Sequence, residues 1–262
     1  MEITRRQNRR KKAAIFGFLV AGILLAAIAG YTIWARQQAD TKGDEAKRSA
    51  IQEDTGEYDE VIYGKTGVKM PKRIIDWDAL AEQNEDIYAW IYVPGTDVDY
   101  PVLQKVGQDD YYLEHNLDGS SGYPGCIYSQ ASYNHPDFAD NHTVLYGHDM
   151  KNGSMFATLH RYEDEDFFRE NRYFILYTPE ETHVYEIFGA YTFTDAHLLA
   201  TYDCTDRSNF GNYLNMVKST HTENAHFMED LSGVDATKRI VTLSTCINYA
   251  PKNRWLVQGV EL

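Results

Sequence analysis

Apolar positions are unevenly distributed along the chain. From Ala13 to Ala35 no residue is charged. A run of that length crosses a bilayer as a helix, which needs roughly 20 apolar residues. Tyr31 and Trp34 close its far end, where aromatic rings favour the interface. Arg36 to about Tyr58 is polar, charged and poor in apolar residues, the pattern of a stalk. Beyond it, short apolar runs alternate with turn signals to the end of the chain. A folded domain is expected to start between Val61 and Ile74.

The periodicity within that domain predicts short elements. Asp76 caps a short helix with Trp77, Leu80 and Ala81 on its apolar face. Ile87 to Val93 is a strand ended by the turn Pro94-Gly95, and Val98 to Leu103 is the next, with Pro101 predicting an edge or strand end. Gly125 to Tyr128 and Thr143 to Tyr146 are further strands. Ser154 is placed to cap a helix carrying Met155, Phe156 and Leu159, and Phe167 and Phe168 mark another. Tyr173 to Tyr177 and His183 to Phe193 form a hairpin around Pro179-Glu180-Glu181. Phe210, Tyr213, Leu214 and Val217 share one face of a helix. Arg239 to Leu243 and Trp255 to Val260 are strongly β-prone. Seven or eight short strands with a few short helices predict a mainly β domain. They suit a closed, antiparallel-rich barrel better than an alternating α/β sheet.

Charge orients this arrangement. Residues 1–12 hold six basic side chains and one acid, so the rest of the chain carries −19 against a total of −14. By the positive-inside rule a basic cluster before an apolar run keeps the N-terminus in the cytoplasm. A cleaved signal peptide is the rival reading, since Ala26-Ala27-Ile28-Ala29-Gly30 offers small residues. The apolar stretch is longer than an h-region of about 7–15 residues, which favours an uncleaved anchor. The organisation is thus a basic tail over 1–12, a transmembrane helix over 13–35, a stalk over 36–60 and a domain over 61–262 outside the cell. A domain this acidic excludes binding to a phosphate backbone.

The three cysteines are Cys126, Cys204 and Cys246, with no C-x-x-C pair. Cys126 opens a strand and Cys204 lies in a polar loop; both are expected as separate buried thiols. Cys246 differs, because the run Arg239 to Thr245 leads straight into it. The loop residues Asn248, Pro251 and Asn253 follow, and Arg254 opens the last strand. Two strands joined by a short loop lie side by side, bringing Cys246 near Arg254. A thiol beside a guanidinium suits both a thiolate and a developing oxyanion. The plain alternative for any free cysteine is a small buried apolar residue. Of nine histidines, His148 stands out, since Gly147-His148 follows the strand Thr143 to Tyr146 and a glycine allows a tight turn there. His135 and His142 with Asp137 and Asp140 match no regular ligand spacing, so neither a metal nor a cofactor is expected.

Tyr146-Gly147-His148, Thr242-Leu243-Ser244-Thr245-Cys246 and Arg254 together resemble the signature of the sortases. Trp90 to Thr96, Val98 to Val102, Asp110 to Leu113, Gly153 to Phe156 and a helix between Thr205 and Thr222 are similar to class B in particular. The likeness runs from about Ile74 to Leu262. It implies an eight-stranded sortase barrel and a cysteine transpeptidase on the outer face of a Gram-positive membrane. Such enzymes cut an N-P-x-T-[N/G]-type sorting signal after its Thr and join the Thr carbonyl to an amine of peptidoglycan or its lipid-linked precursor. Carried over by position, Cys246 is the nucleophile, His148 the acid/base and Arg254 the oxyanion clamp. Leu113, Tyr146 and Ser244 match positions lining the sorting-signal groove. The partners implied are secreted proteins with a C-terminal sorting signal. Two other readings are a non-catalytic surface-binding module on the same barrel and a pilin-polymerising relative.

Overall fold

Inside-facing and outside-facing residues alternate along the β-prone runs, and pairing those runs encloses one apolar interior. A computed structural model describes residues 24–28, 30–31 and 49–262. The basic tail expected over 1–12 and most of the anchor expected over 13–35 lie outside the described residues. Residues 24–28 and 30–31 are helical, and among the described residues no helix is long and apolar enough to cross a membrane.

The strands are β1 (Ile51–Tyr58), β2 (Pro71–Ile75), β3 (Ile87–Tyr92), β4 (Asp99–Leu103), β5 (Ile127–Tyr128), β6 (His142–Tyr146), β7 (Tyr173–Tyr177), β8 (Thr182–Thr194), β9 (His226–Phe227), β10 (Ile240–Cys246) and β11 (Asn253–Glu261). The helices are α1 (Glu60–Thr66), α2 (Trp77–Gln83), α3 (Glu165–Glu170), α4 (Leu198–Thr201) and α5 (Arg207–Lys218), with 3-10 turns at Tyr111–Leu113 and Ala157–Glu163. The main sheet runs β11-β10-β6-β5-β4-β3-β7-β8, and β8 pairs back onto β11. That closes eight strands into the expected barrel. β9 adds only to β8, and β1 and β2 form a separate hairpin.

The inner face is filled by side chains such as Ile91, Leu145, Phe174, Leu243, Trp255 and Val257. A second cluster lies on the outer face, where α5 lays Phe210, Tyr213, Leu214 and Val217 against Phe188, Tyr191 and Leu256. Burial of each such side chain contributes about 1.5–3 kcal/mol. The caps follow the sequence: Asp76 accepts from Ala79 N at 3.0 Å, Asp164 from Phe167 N at 2.8 Å and Asp206 from Asn209 N at 2.9 Å.

Three expectations change. Residues 51–58, given to the stalk on composition, form β1 and pair with β2. Arg73 of β2 docks this hairpin on the barrel. Its Nη1 and Nη2 donate to Asp99 at 2.7 and 3.0 Å, Trp90 Nε1 donates to the same carboxylate at 2.7 Å, and the guanidinium lies 3.8 Å over the Tyr92 ring. The folded part therefore begins ahead of Val61. Pro101 is not at a sheet edge, because β4 lies between β3 and β5. It pairs with Trp90, while β5 pairs only with Val102 and Leu103, so the missing N–H falls where β5 has not begun. Ser154 is no helix cap: its Oγ donates to Asn152 Oδ1 at 2.8 Å. The chain turns at Met155, with φ 58°, before the 3-10 turn starts.

All three cysteines are free thiols. Burial raises the pKa of Cys126, and that of Cys204 to about 12. Cys204 Sγ lies 3.5 Å from Nδ1 of His142, whose Nε2 is 2.7 Å from Thr242 Oγ1. Desolvation lowers the His142 pKa to about 3, so the pair is neutral and inert. Two measurements follow. The folded protein should take up one iodoacetamide near neutral pH, at Cys246, and three in denaturant; rapid labelling of Cys126 or Cys204 in the native state would contradict the burial. Unfolded His142 binds a proton below about pH 6.5 whereas the folded one waits until about 3, so stability falls as pH drops through that window. Its share is about 1.4 kcal/mol per pH unit, and His142→Gln should flatten the slope of unfolding free energy against pH by that amount.

Candidate active site

Strand direction decides what meets here. β10 runs parallel to β6, with Ser244 beside Tyr146, and antiparallel to β11, with Cys246 opposite Arg254. Parallel strands end at the same side of a sheet, and an antiparallel partner begins there. Gly147 and His148, just past β6, therefore adjoin Cys246 at the end of β10 and Arg254 at the start of β11. The six-residue link 247–252 folds on itself through Ala250 N to Ile247 O at 2.9 Å and Asn253 N to Ala250 O at 2.8 Å. Its shortness makes the direct pairing of Cys246 with Arg254 possible.

Cys246, His148, Arg254, Leu113, Tyr146 and Ser244 all line one cavity of about 220 Å³. It opens on the outer wall of the barrel rather than in its mouth. Leu145, Leu243, Trp255 and Val257 point inward, so the alternate positions Tyr146, Ser244, Cys246, Arg254 and Leu256 face out.

Gly147 is needed for room. A Cβ there would stand 2.5 Å from Ile127 Cδ1 and 2.7 Å from the Phe156 ring. Its N–H donates to Ser244 O at 3.1 Å, locking the two strand ends together. The half-buried His148 donates from Nε2 to the Leu113 carbonyl at 2.7 Å, and Tyr123 meets its ring edge-on at 4.9 Å between centroids. With Nε2 donating there, Nδ1 is the ring nitrogen left to accept. The Leu113 carbonyl is itself positioned by close packing: Gly125, at φ +68°, passes so near that a Cβ would lie 2.8 Å from it. Arg254 donates from Nη1 to Pro251 O at 3.1 Å and Asn253 O at 2.9 Å, so the connecting loop holds the guanidinium. Tyr146 stacks on Tyr128 at 5.4 Å, and burial pushes both phenols up and keeps them neutral. Ser244 is buried beside Tyr146 and contributes its main chain to the Gly147 contact.

Sequence reasoning missed the polar floor of this cavity. His197 caps α4 by accepting from Ala200 N at Nδ1 (3.0 Å), so its proton is on Nε2. Nε2 donates to Gln130 Oε1 at 2.7 Å, and Gln130 Nε2 donates to Asp110 at 2.8 Å. The Gln130 amide is thereby oriented without ambiguity. The three residues come from distant segments, and the only local signal was a histidine just before a short helix. Of the side chains weighed for a metal, His135 bonds Asp140 at 2.9 Å while His142 is buried against Thr242. Among the described residues no group of three or more His, Cys, Asp or Glu is placed to hold an ion.

Residues 91–262 match the family model of the sortase domain. Sortase B of Listeria monocytogenes is 37% identical over 185 residues, which are 69% of this chain and 71% of that protein. Sortase B of Clostridium perfringens superposes with a TM-score of 0.63 at 30% identity, covering 71% of this chain and 100% of that one. Sortase B of Bacillus anthracis gives 0.67 at 27% identity, covering 86% of this chain and 97% of the other. These matches accord with the eight-stranded closure and with a half-buried thiol at a strand end, and the chain belongs to the sortase family as a transpeptidase of its class B.

Proposed function

We propose that the protein cuts an N-P-x-T-[N/G]-like sorting signal after its Thr and transfers the Thr carbonyl to a cell-wall amine. The observation that carries this reading is that Cys246, His148 and Arg254 line one cavity. In the first half-reaction the Cys246 thiol passes its proton to His148 as its sulfur attacks the scissile carbonyl, the C–N bond breaks, and His148 gives that proton to the departing amine, leaving a thioester. In the second, the acceptor amine attacks that thioester, His148 takes its proton and passes it to the departing sulfur, and the Cys246 thiol is released as the new amide forms. Arg254 supplies positive charge where the oxyanion develops in both steps. Leu113, Tyr146 and Ser244 form the wall against which the signal lies. The acceptor is an amine of peptidoglycan or its lipid-linked precursor, and the donors are secreted proteins bearing the signal. An N-terminal span over 13–35 would hold the domain outside the membrane, where both are found.

Peptide cleavage with and without an added amine tests the roles. Cys246→Ala should form no acyl-enzyme yet still bind peptide, and near-normal turnover would overturn the reading. His148→Ala should lose both cleavage and aminolysis. Arg254→Ala should lose about 10²–10³ in kcat, roughly 3–4 kcal/mol, whereas Arg254→Lys, which keeps charge without the planar fork, should lose less. A surface-binding module would leave the peptide bound and uncut in every case. For topology, protease added to intact protoplasts should digest the domain; a protected domain would exclude the outward orientation.

A further inference from the structure

The 3-10 turn Ala157–Glu163, with Phe156 ahead of it, touches all three segments that carry the proposed catalytic residues. Phe156 N donates to His148 O at 3.0 Å. His160 Nε2 donates to Cys246 O at 2.9 Å. Trp255, next to Arg254, donates from Nε1 to Leu159 O at 3.0 Å. None of residues 156–163 lines the cavity, and Phe156, Leu159 and Tyr162 belong to the inner cluster. The turn thus backs the site from the far side of the barrel wall.

We propose that His160 is a positioning residue for the nucleophile, acting through the main-chain carbonyl of Cys246. This rests on the role given to Cys246 above. The carbonyl belongs to the peptide plane that follows Cys246, where β10 gives way to the loop 247–252. A donor fixed in space holds that plane, and with it the direction of the Cys246 Cα–Cβ bond. The donor is fixed: the His160 ring stacks on Trp255, 6.0 Å between centroids at 24°, and its Nδ1 lies 2.6 Å from Glu163 Oε1. Asp149 Oδ2 stands 3.5 Å from Nε2 and accepts from Asn248 Nδ2 at 2.5 Å. The residue after His148 is thereby tied to the loop that follows Cys246, closing a bracket around the His148 and Cys246 main chains. Burial holds the Asp149 carboxyl above its ordinary range, while His160 and Asn248 favour its charged form. Displacing a reacting group by about 1 Å costs on the order of 100-fold, so a bracket of this kind matters to rate.

The test compares two amides at position 160. In His160→Gln the amide nitrogen reaches the place of Nε2 and keeps the donor to Cys246 O. In His160→Asn it reaches only the Nδ1 side, toward Glu163. With a sorting-signal peptide, His160→Asn should lose about 10- to 100-fold in kcat at nearly unchanged KM, and His160→Gln should stay within about threefold of the parent. Alkylation of Cys246 by iodoacetamide, which needs no alignment with His148, should proceed at the same rate in both variants and the parent. Full kcat in His160→Asn overturns the proposal, as does equal damage in both variants or a loss of alkylation matching the loss of kcat. If Cys246→Ala retains turnover, the nucleophile assignment fails; if it is dead while His160→Asn is fully active, only the role of His160 fails.

Discussion

Everything chemical in this molecule depends on the register of β10 between β6 and β11. The side-chain period along a strand is two, so a slip of one residue would exchange the two faces of β11. Trp255 would then stand where Arg254 does, and the guanidinium would be driven into the apolar interior. The register is held by the inward residues Leu243, Trp255 and Val257. A second row of polar contacts, in which Gln258 Nε2 donates to Thr242 Oγ1 at 2.6 Å and to Tyr213 OH at 2.7 Å, holds it from outside. Interior packing and active-site geometry are consequences of one alignment.

The N-terminal hairpin depends on a different kind of contact. Arg73 and Asp99 are both nearly buried, at 4% and 8% side-chain exposure. Removing one partner of such a pair leaves an uncompensated charge and costs about 3–5 kcal/mol. The pair works as a fastener because Trp90, on the next strand, donates into the same carboxylate. Through it the segment ahead of Val61 becomes part of the fold.

Much of this was legible in the sequence because it depends on residue type and local period. Apolar runs marked the barrel strands, Asp76 marked a helix start, and His148, Cys246 and Arg254 were visible as residues flanking strands. What escaped is of two kinds. Main-chain roles, such as the Leu113 carbonyl that receives His148 or the Cys246 carbonyl that receives His160, leave no trace in residue identity. Long-range pairs, such as Arg73 with Asp99 or His197 with Gln130, join positions no window spans. β1 was hidden for the second reason, since its charged sequence carries no apolar alternation and its order comes from docking. Ser154 misled through a real local preference that a positive φ at Met155 overrode.

Closure of the barrel also sets the manner in which an extended peptide can be held. A sheet with a free edge captures a peptide by adding it as one more strand, through main-chain hydrogen bonds that ignore side-chain identity. Among the described residues the strand ends around Cys246 have neighbours on both sides: β10 is flanked by β6 and β11, Tyr146 of β6 by Tyr128 of β5 and by β10, and β11 by β10 and β8. A peptide arriving at the thiol must be gripped by side chains and by the main chain of loops. Selectivity for a short motif is what such a grip provides, and indiscriminate strand-like binding is what it denies.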